Sequence, residues 1–152
     1  DWLVGALLES LPSGTTLAIT ADHGQVQVGD NVVHLSDDIK GLLHHQSGEG
    51  RFRWLHAKRG QETDLVSAAT DAYGHIAWIA SREQVVEEAW LGPARGGRMS
   101  DQVKRRLGDV ALVPFTATTF DDPLDSGPYS LVCRHGSLTS DEMFVPFLAQ
   151  TV

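Results

Sequence analysis

The chain has 152 residues, enough for one domain with a buried core and too few for two of ordinary size. At 41% hydrophobic and 21% charged residues, the composition is that of a globular fold and not of a disordered segment. A formal charge of −8 disfavours binding of a nucleic-acid duplex or an anionic lipid surface; no apolar run approaches the roughly 20 residues of a bilayer span, and the single Cys133 excludes an internal disulfide.

The chain opens on Asp1 without an initiator Met or a signal-type segment, which suggests a piece of a longer protein and leaves localisation open, with a cytoplasmic setting slightly favoured. Leu3, Val4, Leu7, Leu8 and Leu11 recur at helical spacing until Pro12-Ser13-Gly14 stops them. The continuous apolar run "TTLAITA" follows and reads as a buried strand. A helix feeding such a strand is half of a parallel α/β unit, so the expected fold class is α/β, a mostly parallel central sheet flanked by helices. Next, "VQVGDNVVHL" alternates about a Gly29-Asp30-Asn31 turn and predicts a hairpin. Ser36 is placed to cap a short helix through "DDIKGLLHH", ending in the polar loop "QSGEG". In the strand "RFRWLHA", Phe52, Trp54 and His56 fall on one face and Arg51, Arg53 and Leu55 on the other. Leu65, Val66 and Ala69 mark a helix closed by Gly74; the strand "HIAWIA" and a helix capped by Ser81 and Gln84 follow. Residues 35 to 95 thus form a strand-and-helix series that could pack as a small α+β sublayer. "GPARGGRMS" reads as a mobile loop, "DVALVPF" as a strand that Pro114 places near a sheet edge, and "YSLVC" as another strand. The end combines a capping signal at Thr139 and Glu142 with a last apolar strand.

Two places share one grammar of apolar strand, imidazole and glycine: "LAITADHG" and "SLVCRHG". In a regular strand Asp22 and His23 point to opposite faces, but Gly24 lets the backbone turn so that both can converge at the strand's end. A carboxylate and an imidazole are a donor set for zinc, and manganese or iron use similar ones. Taken alone, each tripeptide is read more simply as a turn-capping Asp and a core His.

"TADHGQ" together with "CRHGSLTSDEMFVPFL" resembles the alkaline phosphatase superfamily, in its nucleotide pyrophosphatase/phosphodiesterase branch. The resemblance rests on the order of the motifs, their strand context and the tail Glu142, Val145 and Pro146. It implies that Asp22 and His23 bind one of two divalent metal ions, zinc in the first instance with manganese or iron possible, and that His135 binds the second, facing the leaving group. Two ions roughly 4 Å apart stabilise the attacking and leaving oxygens of an in-line displacement at phosphorus. The substrate implied is a phosphoric ester or nucleotide. The family's early aspartate, its Thr or Ser nucleophile and its Asp-x-x-x-His pair would precede Asp22, and none is among the preceding residues. Residues 1–152 are therefore expected to be the carboxyl-terminal part of one alkaline-phosphatase-like α/β domain, with 35–95 inserted between the two motifs. The nucleophile would lie in the missing amino-terminal half, with no catalytic residue in this chain and no activity of the chain alone. A sulfatase, phosphomonoesterase or mutase of the same superfamily, or a non-catalytic interaction module that kept the fold, are the competing readings.

The remaining polar residues have plainer readings. His44 and His45 are taken as a solvated helix end, and His34, His56 and His75 as structural. Arg51, Arg53, Lys58, Arg59, Lys104, Arg105 and Arg106 are taken as solvated faces. Trp54, Trp78 and Trp90 read as core, Cys133 as buried filler, and Ser137 and Thr139 as turn and cap residues.

Overall fold

The structure, a computed structural model, describes residues 1–93, 98–125 and 131–152. Parts of the "GPARGGRMS" loop (94–97) and of the turn and strand around "DSGPYS" (126–130) lie outside the described residues.

Helix α1 (Trp2–Ser10) leads into strand β1 (Thr16–Thr20), as the sequence predicts, but the strand is not buried: its residues alternate between exposed and half-buried. The expected mostly parallel sheet is not what surrounds it. β1 pairs antiparallel with the last strand, β10 (Phe147–Thr151), with Ala18 opposite Ala149. β2 (Val26–Gln27) pairs antiparallel with β9 (Cys133–Arg134), while β3 (Val32–His34) pairs in parallel with β8 (Thr119–Asp121). Every other pairing among the described residues is antiparallel. A parallel pair needs two strands joined by a crossover, and before β1 this chain supplies only the helix.

The predicted hairpin is also replaced. Asn31 N–H still closes a turn on the carbonyl of Val28 at 3.0 Å, with Gly29 at φ +54°. The two arms diverge, however, each pairing with a strand about a hundred residues on.

The main core lies around a four-stranded sheet of β4 (Leu43–Glu49), β5 (Phe52–Ala57), β6 (Ala77–Ser81) and β7 (Val110–Pro114), in the order β4-β5-β7-β6. Helices α2 (Asp37–Leu42) and α3 (Glu62–Tyr73) contribute Ile39, Leu65, Ala69 and Tyr73 to one cluster, with Leu55, Val110 and Leu112. On the other side Val85 of α4 (Arg82–Glu87) packs with Trp54, Ala80, Ala111 and Val113, and Leu107, Trp90 and Leu138 lean against them. Because both faces of β7 are covered, its residues are buried throughout, which is why it reads as an unbroken apolar run. Pro114 does not mark an edge: β7 is central, and the proline sits at its last position opposite Ala77, where the ladder ends. The caps at Ser36 and Ser81 form as expected, each hydroxyl accepting from the N–H three residues on. Two short helices complete the chain, α5 (Asp101–Lys104) and α6 (Ser140–Met143).

His44 and His45 are not at a helix end. α2 stops at Leu42 and the chain passes directly into β4, where His45 faces His56 with stacked rings 3.9 Å apart. His44 Nδ1 and His45 Nδ1 lie 2.9 Å apart, and His56 Nε2 is 2.8 Å from the Ser47 hydroxyl. His75 is exposed in the turn before β6, and His34 pairs with Asp121 at 3.4 Å. Burial lowers the pKa of His56 first, aided by His45, Arg82 and His44 against the opposing pull of Asp109. A base whose folded pKa lies below its unfolded value destabilises the fold as pH falls through the unfolded value, near 6.5. The expected result is a His56 midpoint below 6.5 by NMR titration and a parallel loss of stability under mild acid; a midpoint at or above 6.5 would contradict the burial argument.

Candidate metal centre

The turn after β1 and the turn after β9 are brought together by the β2–β9 ladder, which sets Val26 opposite Arg134. Each motif glycine lies two residues from that ladder, so His23 and His135 arrive side by side. Their rings stack with centroids 3.6 Å apart and planes within 12°. Asp22 is exposed, with Oδ2 3.7 Å from His23 Nε2. Its Oδ1 accepts the N–H of His23 at 3.1 Å.

His23 Nδ1 lies 2.7 Å from the carbonyl oxygen of Gly24. A carbonyl can only accept, so Nδ1 carries the proton and the Nε2 lone pair stays free, the arrangement in which ligating histidines are oriented. Two donors 3.7 Å apart also fall within the span of two ligand bonds of about 2.0–2.1 Å to one ion. Asp22 and His23 therefore fit a shared cation. Among the described residues, no group of three or more His, Cys, Asp or Glu side chains converges to hold an ion.

The role of Gly24 differs from the sequence expectation. Its φ is not in the left-handed region. A Cβ there would overlap the carbonyl of Asp141, and its N–H donates to the carbonyl of Glu142 at 2.8 Å. Close approach of the α6 backbone, and not turn geometry, requires the glycine. Gly24→Ala is expected to cost about 1–3 kcal/mol in denaturant unfolding, as overpacking does; an unchanged midpoint would show that the contact is not tight. Gly136, at φ +119°, does need its missing side chain.

Beneath the two turns is a polar cluster that the sequence reading missed. Arg51 and Arg53 are each 1% exposed, not solvated. Arg51 donates from Nε to Glu142 Oε1 at 3.0 Å and from Nη2 to Oε2 at 2.5 Å, and its Nη1 reaches the carbonyls of Thr116 and Thr118 at 2.5 and 2.7 Å. Glu142, 3% exposed, also accepts the N–H of Ser137 at 3.0 Å and the Thr139 hydroxyl at 2.5 Å. The Ser137 hydroxyl in turn donates to the Pro114 carbonyl at 2.5 Å. Burial alone would push the Glu142 carboxyl up, but hydrogen bonds from Arg51, Thr139 and Ser137 together with the Arg51 charge outweigh it and hold the group below its usual range. Arg53 pairs with Asp125 and donates to the carbonyls of Gly48 and Phe120. The available signal was the alternation in "RFRWLHA", which puts both arginines on the face of Leu55, a core residue.

Comparison with solved structures finds the same fold at low identity. The human ectonucleotide pyrophosphatase / phosphodiesterase 5 is similar with a TM-score of 0.65 and 19% identity, over 97% of this chain and 37% of that one. Its murine counterpart gives 0.65 and 18% over the same shares. Phosphonoacetate hydrolase from Sinorhizobium meliloti gives 0.63 and 18%, over 90% of this chain and 36% of that one. The chain thus spans little more than a third of the length of these structures. No curated protein matches it in sequence. Residues 1–138 match the family of type I phosphodiesterases and nucleotide pyrophosphatases, and the chain belongs to that family.

Proposed function

We propose that this chain forms the carboxyl-terminal part of a two-metal hydrolase of phosphoric esters, of phosphodiesterase or nucleotide pyrophosphatase type. In this reading Asp22 and His23 hold one ion and His135 holds the other. The observation that carries it is the stacking of His23 on His135, with the Nδ1 proton of His23 committed to the Gly24 carbonyl. Parallel rings 3.6 Å apart aim their in-plane lone pairs at separate points, which suits two ions about 3.5–4 Å apart better than one shared ion. Zinc suits these donors first, and manganese or iron would also be accepted. Bound there, the ions would neutralise phosphoryl oxygens and stabilise the attacking and leaving groups. The chain's own residues orient that chemistry: the Gly24 carbonyl fixes the His23 tautomer, and the exposed Asp22 carboxylate is left to complete a ligand pair.

The nucleophile, a Thr or Ser, and the other ligands belong in this reading to an amino-terminal half of the same α/β domain, with residues 35–95 as a sublayer inserted between the motifs. The exposed apolar surface of α1 and β10 supports that placement: Trp2 is 86% and Phe147 71% exposed, although helix and strand would ordinarily bury such groups. The parallel neighbours expected for β1 would come from that half.

Residues 1–152 alone are expected to bind zinc weakly and to leave a chromogenic phosphodiester intact, because tight sites take three or four preorganised ligands. Zinc-dependent turnover of the diester by the isolated chain would contradict this.

A further inference from the structure

We propose that Glu142, held by Arg51, is a positioning residue that sets the separation of the two imidazoles. Its main-chain carbonyl takes the N–H of Gly24, next to His23. Its carboxylate takes the N–H of Ser137, two residues after His135. One residue therefore grips the chain beside each histidine. The grip is anchored in turn, since Arg51 ties the same carboxylate to the carbonyls of Thr116 and Thr118 beyond β7, and the Ser137 hydroxyl is tied to Pro114 at the end of that strand. The proposal rests on the metal reading above.

The carboxylate accepts four hydrogen bonds, two on each oxygen. A glutamine of the same shape has one accepting oxygen, and its amide N–H₂ must stand either where Oε1 meets Arg51 Nε–H and the Ser137 N–H, or where Oε2 meets Arg51 Nη2–H and the Thr139 hydroxyl. Glu142→Gln thus keeps the volume but sets a donor against an Arg51 N–H in either orientation, which loosens the anchor of the grip. Groups that orient metal ligands usually contribute about 10- to 100-fold to metal affinity.

The test uses the full-length protein. Zinc affinity is measured by competition with a chromophoric chelator, and the visible spectrum of the cobalt-substituted protein reports ligand geometry. Thermal unfolding without metal shows which variants are folded. Glu142→Gln is expected to bind zinc about 10- to 100-fold more weakly while folded, with an altered cobalt spectrum. Arg51→Lys keeps the charge but cannot span both carboxylate oxygens and two carbonyls, so it is expected to shift the same readouts in the same direction; it carries the comparison if the glutamine variant does not fold. A fold-only role would lower the melting temperature and leave both metal readouts unchanged. His23→Ala and His135→Ala are measured alongside. If they lose metal while Glu142→Gln and Arg51→Lys bind it normally, the positioning role is overturned. If the histidine variants bind metal normally, the metal reading falls, and this proposal with it.

Discussion

Arg51→Met is expected to destabilise the fold by about 3–5 kcal/mol, the cost of leaving one member of a buried ion pair without its partner. The side chains of Arg51 and Glu142 are both 1% exposed, so water cannot replace the lost contact. The pair is favourable here because its desolvation is offset by bidentate geometry and by further donors, Thr139 and Ser137 on the acid, with two carbonyls taking the Nη1 protons of the base. Replacing both residues, as in Arg51→Met with Glu142→Leu, is expected to recover much of the loss but not all. The Ser137 N–H would remain without its acceptor, at a cost of about 1–3 kcal/mol. Equilibrium denaturation of the single and double variants checks this; an Arg51→Met variant as stable as the parent would show that the pair contributes nothing.

The same pair makes stability depend on acid. Glu142 has a folded pKa below its unfolded value, so its contribution is fully present above the unfolded value near 4.5 and is lost as pH falls through the folded one. The gap between parent and Arg51→Met is accordingly expected to narrow as pH falls, because without Arg51 burial raises the Glu142 carboxyl and the variant takes up that proton before the parent does. A gap that widened toward acid would contradict that sign.

Local features of the chain were legible because neighbours decide them. The caps at Ser36 and Ser81, the amphipathic run of α3 and the alternation of β5 each follow from a few adjacent side chains. Likewise, the two strand-imidazole-glycine turns could be recognised because their residues are contiguous. What could not be read depends on partners far along the chain. Val26 pairs with Arg134 and Val32 with Thr119, so the expected hairpin gives way to two separate ladders. "LHHQSGE" carries little strand character of its own, yet it becomes β4 because β5 offers it a ladder beside a covered core. Arg51 is buried because an acid 91 positions on meets it. Pro114 misled because a strand's last position needs no ladder donor even in the middle of a sheet.

On the proposed two-metal reading, His23→Ala and His135→Ala in the full-length protein are each expected to reduce phosphodiester hydrolysis by about 10³-fold or more. The metal charge at a transferring phosphoryl group is worth several kcal/mol, and about 1.4 kcal/mol corresponds to tenfold in rate. Both variants should fold. His23 and His135 lie at turns outside the two hydrophobic clusters, and the buried Arg51–Glu142 pair beneath them remains intact. His45→Ala, in the edge strand β4 and stacked on His56, is the matched control, expected to leave hydrolysis unaffected. Parallel losses in all three would point to a general fault in folding instead of loss of a metal ligand.

The most direct test of the metal centre is the anomalous diffraction of full-length crystals grown with zinc. The expected result is two neighbouring peaks, one within bonding distance of Asp22 and His23 and the other of His135. A map with no peak at these side chains, from protein that hydrolyses a phosphodiester, would contradict the assignment.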